Sequence, residues 1–182
     1  MNFKARKGLF GINLLLLTVC VACTAFPAFS AYATPDPGPQ KNQLSQMPTI
    51  TIKVGPEKKG QKTFKTYLAL TIPAQTLGLS NIQEDEFSPR EAMLFVYDHE
   101  DLRRFWMKQT YFALDILFLD KEGKITAMAL AMPAYSGPDP RLIPTTPAVK
   151  AQYVLEVKAG IYPWQQGMKV LSEKQRQAWA KD

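Results

Sequence analysis

Cysteine is nearly missing from this 182-residue chain, and the two present, Cys20 and Cys23, stand close to the N-terminus. If the first thirty-odd residues are removed, no thiol remains. That excludes a disulfide, a cysteine nucleophile and a cysteine metal cage from the rest of the chain. Histidine is equally scarce, with His99 alone, so a zinc site would depend on weak carboxylate sets. No glycine-rich phosphate cradle occurs. Basic residues are interspersed with acidic ones, and the net charge of +6, which falls to +3 without the three basic residues nearest the N-terminus, makes no case for nucleic acid as a partner.

The N-terminus carries the strongest local signal. Lys4, Arg6 and Lys7 precede an apolar stretch from Leu14 to Ala25 that holds no charge, and Ala31-Tyr32-Ala33 follows as an A-x-A cleavage pattern. The stretch is short for a bilayer span, which needs about 20 residues. Residues 1–33 are therefore expected to be a secretory signal, cleaved near Ala33, and the product to be periplasmic or extracellular. Loss of the three basic residues lowers the net charge to +3. Membrane attachment is expected only through an uncleaved signal or a lipidated Cys23.

Residues 34–48, with Pro35, Pro37, Pro39 and Pro48, read as an extended tether. A β domain is expected over residues 49–172 and a helical tail over residues 173–182. Ile50, Ile52 and Val54 alternate with polar residues, as do Phe64, Leu68 and Leu70, and both patterns predict strands. Pro73 opens a helical turn that Gly78 ends. The continuous apolar runs 93–97, 105–107 and 114–119 predict strands buried on both faces, and 125–132 returns as the hairpin partner of the last. Residues 133–147, rich in proline, form a long loop. Val149, Ala151, Tyr153, Leu155 and Val157 are expected inward, with Lys150, Gln152 and Glu156 outward. Residues 161–167 predict a helical turn and 168–171 a last short strand. Ser172 with Gln175 resembles a capping box. The fold class expected is mostly β: a small barrel or sandwich of short, mainly antiparallel strands with one or two short helices and a C-terminal helix.

Lys108 and Asp115 each interrupt an apolar run, where an unpaired charge is costly to bury. One reading is a salt bridge that fixes the pairing of neighbouring strands. The other is a pocket for a polar ligand, walled by Trp106 and joined by Gln109 and Glu156. Glu156 also has a plain reading, as a solvated residue on a polar strand face. His99 lacks a nucleophile motif and reads as part of an exposed turn, Asp120 as a turn residue, and Glu84-Asp85-Glu86 as a solvated loop. Lys58, Lys59, Lys62 and Lys65 cluster and read as a solvated loop, with anionic lipid as the alternative. Tyr162 and Trp164 are expected to cap one end of the fold.

Several blocks share one order. Glu91-Ala92-Met93-Leu94-Phe95-Val96, Phe105-Trp106-Met107-Lys108-Gln109-Thr110, Leu114-Asp115-Ile116-Leu117-Phe118-Leu119-Asp120 and Tyr153-Val154-Leu155-Glu156-Val157-Lys158-Ala159-Gly160 resemble motifs of the DUF192 family, over roughly residues 66–171. The resemblance implies a compact, mostly β domain, frequently exported, and implies no activity. Ala92 stands where the family has glycine, Gln109 and Lys158 where it has asparagine, and Ser80 where it has methionine. Residues 131–135 lack the family's acidic residue and cysteine.

Taken together, the sequence reads as a non-catalytic envelope domain, with no cofactor, that binds a small polar ligand or an envelope protein. The alternatives are a hydrolase- or lyase-type enzyme using Lys108 and Asp115 as acid and base, and a purely structural envelope accessory protein.

Overall fold

Alternating and continuous apolar runs become one six-stranded sheet in the computed structural model, which describes residues 41–55 and 60–179. The strands are β1 (Thr49–Val54), β2 (Lys62–Ala69), β3 (Glu91–Arg103), β4 (Leu114–Leu119), β5 (Ile125–Met132) and β6 (Val149–Lys158), in the spatial order β1-β2-β3-β6-β4-β5. Every pairing is antiparallel except β2 with β3. That parallel pair requires a crossover, which is supplied by helix α2 (Ile72–Leu77) and a 3-10 turn at Glu84–Glu86. The fold is mostly β. The sheet stays open, with β1 and β5 as its edges, and does not close into a barrel.

Apolar side chains cover both faces. One core gathers Met93, Phe95, Ile116, Phe118 and Val154 under Ile82, Phe87 and Met107. The other gathers Leu94, Leu117, Leu119, Leu155 and Val157 under Phe64, Trp164 and Leu171. Inner strands between two such layers are apolar on both sides, and all six residues of β4 are buried. Trp164 packs its ring 6.0 Å from Phe64 and 4.7 Å from Tyr162, within the second core.

Two glycines are required by geometry. Gly78 ends α2 at φ +54°, and a Cβ there would lie 3.2 Å from Cζ of Phe95. Gly123, at φ +77° in the β4–β5 turn, would place a Cβ 2.6 Å from that of Leu171. Its carbonyl accepts from the amides of Val170 and Leu171, which seats the C-terminal segment. Ser172 and Gln175 form the expected capping box and open a helix at Glu173–Gln177. The Gln175 side-chain amide donates to the carbonyl of Thr51, fastening that helix to the sheet edge.

Several sequence expectations are corrected. Helix α1 (Lys41–Gln46) replaces part of the extended tether, because Leu44 finds a buried place in the first core. Strand β3 runs on through Asp98 and His99, exposed in a strand with a bulge between Val96 and Asp101, where a turn was expected. Residues 105–107 are no strand: Phe105 and Met107 are buried, Trp106 is exposed, and a single bridge ties Trp106 to Thr145. Residues 161–167 form no helix, and 168–171 contribute one bridge, Lys124 to Lys169. The expected signal with Cys20 and Cys23, together with Lys58 and Lys59, lies outside the described residues.

Candidate functional site

Strand β6 lies between β3 and β4, and its stretch Tyr153–Val157 is buried on both faces. Val154 occupies the first core, and period-2 alternation sends Glu156 to the same face. There the register sets Glu156 between Met93 of β3 and Ile116 of β4. Glu156 is only 4% exposed, so its reading as a solvated surface residue is wrong. Its face is roofed because β6 is central, which strand periodicity alone does not reveal. Among the described residues no donor reaches its carboxyl. Burial pushes its pKa up to about 8, with no other contribution. The neighbouring Tyr97 phenol is pushed up to about 12, chiefly by burial; Arg103 opposes the shift and the Glu156 charge adds to it.

The roof is made by two loop segments, residues 78–82 and 106–110. They are joined by Ser80 Oγ donating to the Lys108 carbonyl at 2.7 Å and the Asn81 amide donating to the Gln109 carbonyl at 2.8 Å. The second joint links two residues of strained backbone: Asn81 and Gln109 have φ of +64° and +50°. Residues outside glycine hold such angles only where the surroundings over-determine them. Thr110 exchanges two backbone hydrogen bonds with Tyr135, and the Met107 amide donates to the Pro144 carbonyl, so the long proline-rich loop braces the roof.

Between roof and sheet is a narrow crevice of about 20 Å³, lined by Gly78, Ser80, Phe95, Trp106, Thr110 and Glu156 among others. That volume admits roughly one water-sized group. Phe95 and Phe105 meet edge to face, 4.8 Å between centroids, and form its apolar wall. Trp106, 51% exposed, stands at the mouth.

Of the residues singled out from sequence, the structure brings Trp106 and Glu156 together and leaves the others apart. Lys108 is exposed, with its ammonium 5.7 Å from the Trp106 ring centre. Asp115 is 3% exposed and faces the opposite side of the sheet, with Leu117 and Val157. Its Oδ1 accepts from the Ala131 amide at 2.9 Å and its Oδ2 from the Gly160 amide at 3.0 Å. Lys108 and Asp115 therefore form neither a salt bridge nor an acid/base pair. The Asp115 charge is compensated by two backbone donors, which hold Ala131 and Gly160 at φ +51° and +72°.

Gln109 contributes its backbone, and its side chain is exposed. Asparagine tolerates the left-handed region better than glutamine, which gives the family asparagine at this position a conformational reason. Gln109→Asn is expected to stabilise the domain by about 0.5 kcal/mol, a fraction of the roughly 1–2 kcal/mol left-handed penalty. Calorimetric melting should show a small rise in Tm, and a fall would contradict this account.

Sequence reasoning passed over Gly78, Ser80 and Thr110 as site residues. Two of them gave a signal: Gly78 as a helix terminator, and Ser80 as a polar residue in a methionine position. Neither signal locates the opposite loop. His99 is exposed, Asp120 accepts from the Lys124 amide in its turn, and the Glu84 carboxylate lies 3.8 Å from the Lys158 ammonium. None of these joins the crevice.

Comparison with known proteins agrees with this architecture. A protein from Sinorhizobium meliloti, designated a candidate transcription regulator, superposes with a TM-score of 0.57 at 22% identity, over 69% of this chain and 94% of that one. At that identity the likeness shows the fold alone. A Novosphingobium aromaticivorans protein of unknown function superposes with a TM-score of 0.58 at 25% identity, over 70% of this chain and 88% of that one. No curated protein matches the chain. The family model DUF192, described as "Uncharacterized ACR", matches residues 54–170, from the end of β1 through the segment seated on Gly123. The chain belongs to the DUF192 family.

Proposed function

We propose that this DUF192 domain is exported and serves as a non-catalytic binding protein for a small polar ligand, with the Glu156 crevice as the seat. One observation carries the reading: a buried carboxyl that no hydrogen-bond donor reaches among the described residues opens onto a crevice rimmed by an exposed tryptophan. Burying a carboxyl costs free energy unless something hydrogen-bonds to it, and a ligand group in the crevice would meet that cost. Sites of this kind combine apolar walls with a few placed polar atoms.

Catalysis finds less support. Glu156 is the only titratable group among the described residues lining the crevice. General acid/base chemistry by two groups would need a second, and a nucleophilic Ser80 would have to donate to Glu156 as its base. Ser80 instead gives its proton to a backbone carbonyl. The export half of the proposal rests on Lys4, Arg6, Lys7, the uncharged apolar stretch and Ala31-Tyr32-Ala33.

A thermal-shift screen of polar metabolites, run on wild type, Glu156→Gln and Trp106→Ala, tests the binding. A ligand that binds only the folded state raises Tm by mass action. The expected result is a ligand-induced rise in wild type that both variants lose. No rise with any compound, or a rise that both variants retain, would refute the assignment. N-terminal sequencing of the protein from an envelope fraction tests export, with a start at Thr34 expected and an intact Met1 contradicting cleavage.

A further inference from the structure

The donors and acceptors around Glu156 narrow the ligand class, if the crevice is a ligand seat as proposed above. Ser80 Oγ and Thr110 Oγ1 both donate to the Lys108 carbonyl, at 2.7 and 3.4 Å. Thr76 Oγ1 donates to the Ile72 carbonyl at 2.9 Å. The Gln75 amide nitrogen serves two carbonyls, those of Ala69 at 3.2 Å and Val96 at 2.7 Å. The hydroxyls and the amide that line the crevice have thus spent their protons on the backbone. What they turn to a guest is lone pairs, with the Glu156 carboxyl behind them.

A guest that fits must bring several donors in the volume of about one water. A hydroxyl brings one donor, and a quaternary ammonium brings none and is too large. A primary ammonium brings three, together with a positive charge that favours release of the Glu156 proton to water and then pairs with the carboxylate left behind. The aromatic walls of Phe95 and Phe105 and the indole of Trp106 are favourable surroundings for a cation. Lys108 does not line the crevice, and its own ammonium is exposed to water. We infer that the Glu156 crevice seats the ammonium head of a primary alkylamine, with Ser80 and Thr110 as further acceptors and the carbon chain lying against Trp106.

Titration of the full chain's envelope-purified product with n-butylammonium chloride tests this, followed by the Trp106 indole N–H signal in nitrogen-15 NMR. Butan-1-ol, tetramethylammonium chloride and potassium chloride serve as matched probes. Saturable binding of n-butylammonium is expected, weakened at least tenfold by Glu156→Gln and several-fold by Ser80→Ala or Thr110→Ala, with none of the matched probes competing. Each variant's thermal melt, recorded in the same buffer, separates lost binding from lost folding. Equal binding of butan-1-ol would overturn the ammonium head and leave a ligand seat standing. Equal binding of potassium would make the crevice a metal-cation site instead. Absence of n-butylammonium binding, or binding indifferent to Glu156→Gln, would sink the inference. The ligand-seat reading itself falls only if the metabolite screen is also blank or both variants retain its hits.

Discussion

Glu156→Gln is expected to stabilise the domain at pH 7 and to leave it nearly unchanged near pH 4.5. The folded protein holds the Glu156 proton up to about pH 8, because burial opposes the charge, whereas the unfolded chain releases it near 4.5. Between those values the folded state carries one proton more than the unfolded state, so unfolding releases a proton and stability falls as pH rises. The slope is about 1.4 kcal/mol per pH unit for one group, and it flattens above the folded pKa. Glutamine keeps the shape, carries no charge at any pH, and offers an amide donor to the oxygens of Ser80 and Thr110. At pH 7 the variant should therefore gain about 3 kcal/mol, before allowance for local relaxation. Urea unfolding of both proteins at pH 5, 6, 7 and 8 checks this. The two stability profiles should diverge steadily with pH, and parallel profiles would mean that Glu156 is charged and solvated in the folded state.

Asp115→Ala is expected to cost about 3 kcal/mol, the second large effect. Hydrogen bonds to a charged group are worth roughly 1.5–3 kcal/mol each, and deleting the acceptor leaves the Ala131 and Gly160 amides without their partner. Those amides belong to left-handed residues at the end of β5 and just after β6. The substitution loosens two chain reversals together. Chemical denaturation should show a lower midpoint with an unchanged slope. Ligand binding at the Glu156 crevice should survive under conditions where Asp115→Ala remains folded, since Asp115 faces the opposite layer. A variant as stable as wild type but unable to bind would restore Asp115 as a site residue.

What the sequence disclosed followed strand periodicity closely. Ile50, Ile52 and Val54 announced β1, the unbroken run 114–119 announced a strand buried on both sides, and Ser172 with Gln175 announced the last helix. What it withheld depended on neighbours far along the chain. Glu156 belongs to Tyr153-Val154-Leu155-Glu156-Val157, where Val154 already hinted that the second face was apolar too. Only the strand order, with β6 in the interior, turns that hint into burial. The Lys108–Asp115 pairing failed for a related reason. A charge in an apolar run needs compensation, and sequence suggested the nearest opposite charge. The compensation comes from backbone amides at positions 131 and 160, and no sequence pattern ties either position to Asp115.

The departures from the family motifs divide in the same way. Gln109 in an asparagine position affects a backbone angle, and Ser80 in a methionine position places an oxygen in the crevice. The second change bears on what the seat accepts, and the first bears on stability. Family resemblance located both positions without distinguishing them. The hydrogen bonds of Ser80 and of the Gln109 carbonyl draw that distinction.

The most direct measurement is a carbon-13 titration of the Glu156 side-chain carboxyl by NMR, with the signal assigned through Glu156→Gln. A midpoint near 8 is predicted, from a carboxyl kept uncharged by burial and open to a guest. A midpoint near the ordinary 4.5 would contradict the account, because it would mean that Glu156 is already solvated or paired and has no vacancy in its hydrogen bonding for a ligand to fill.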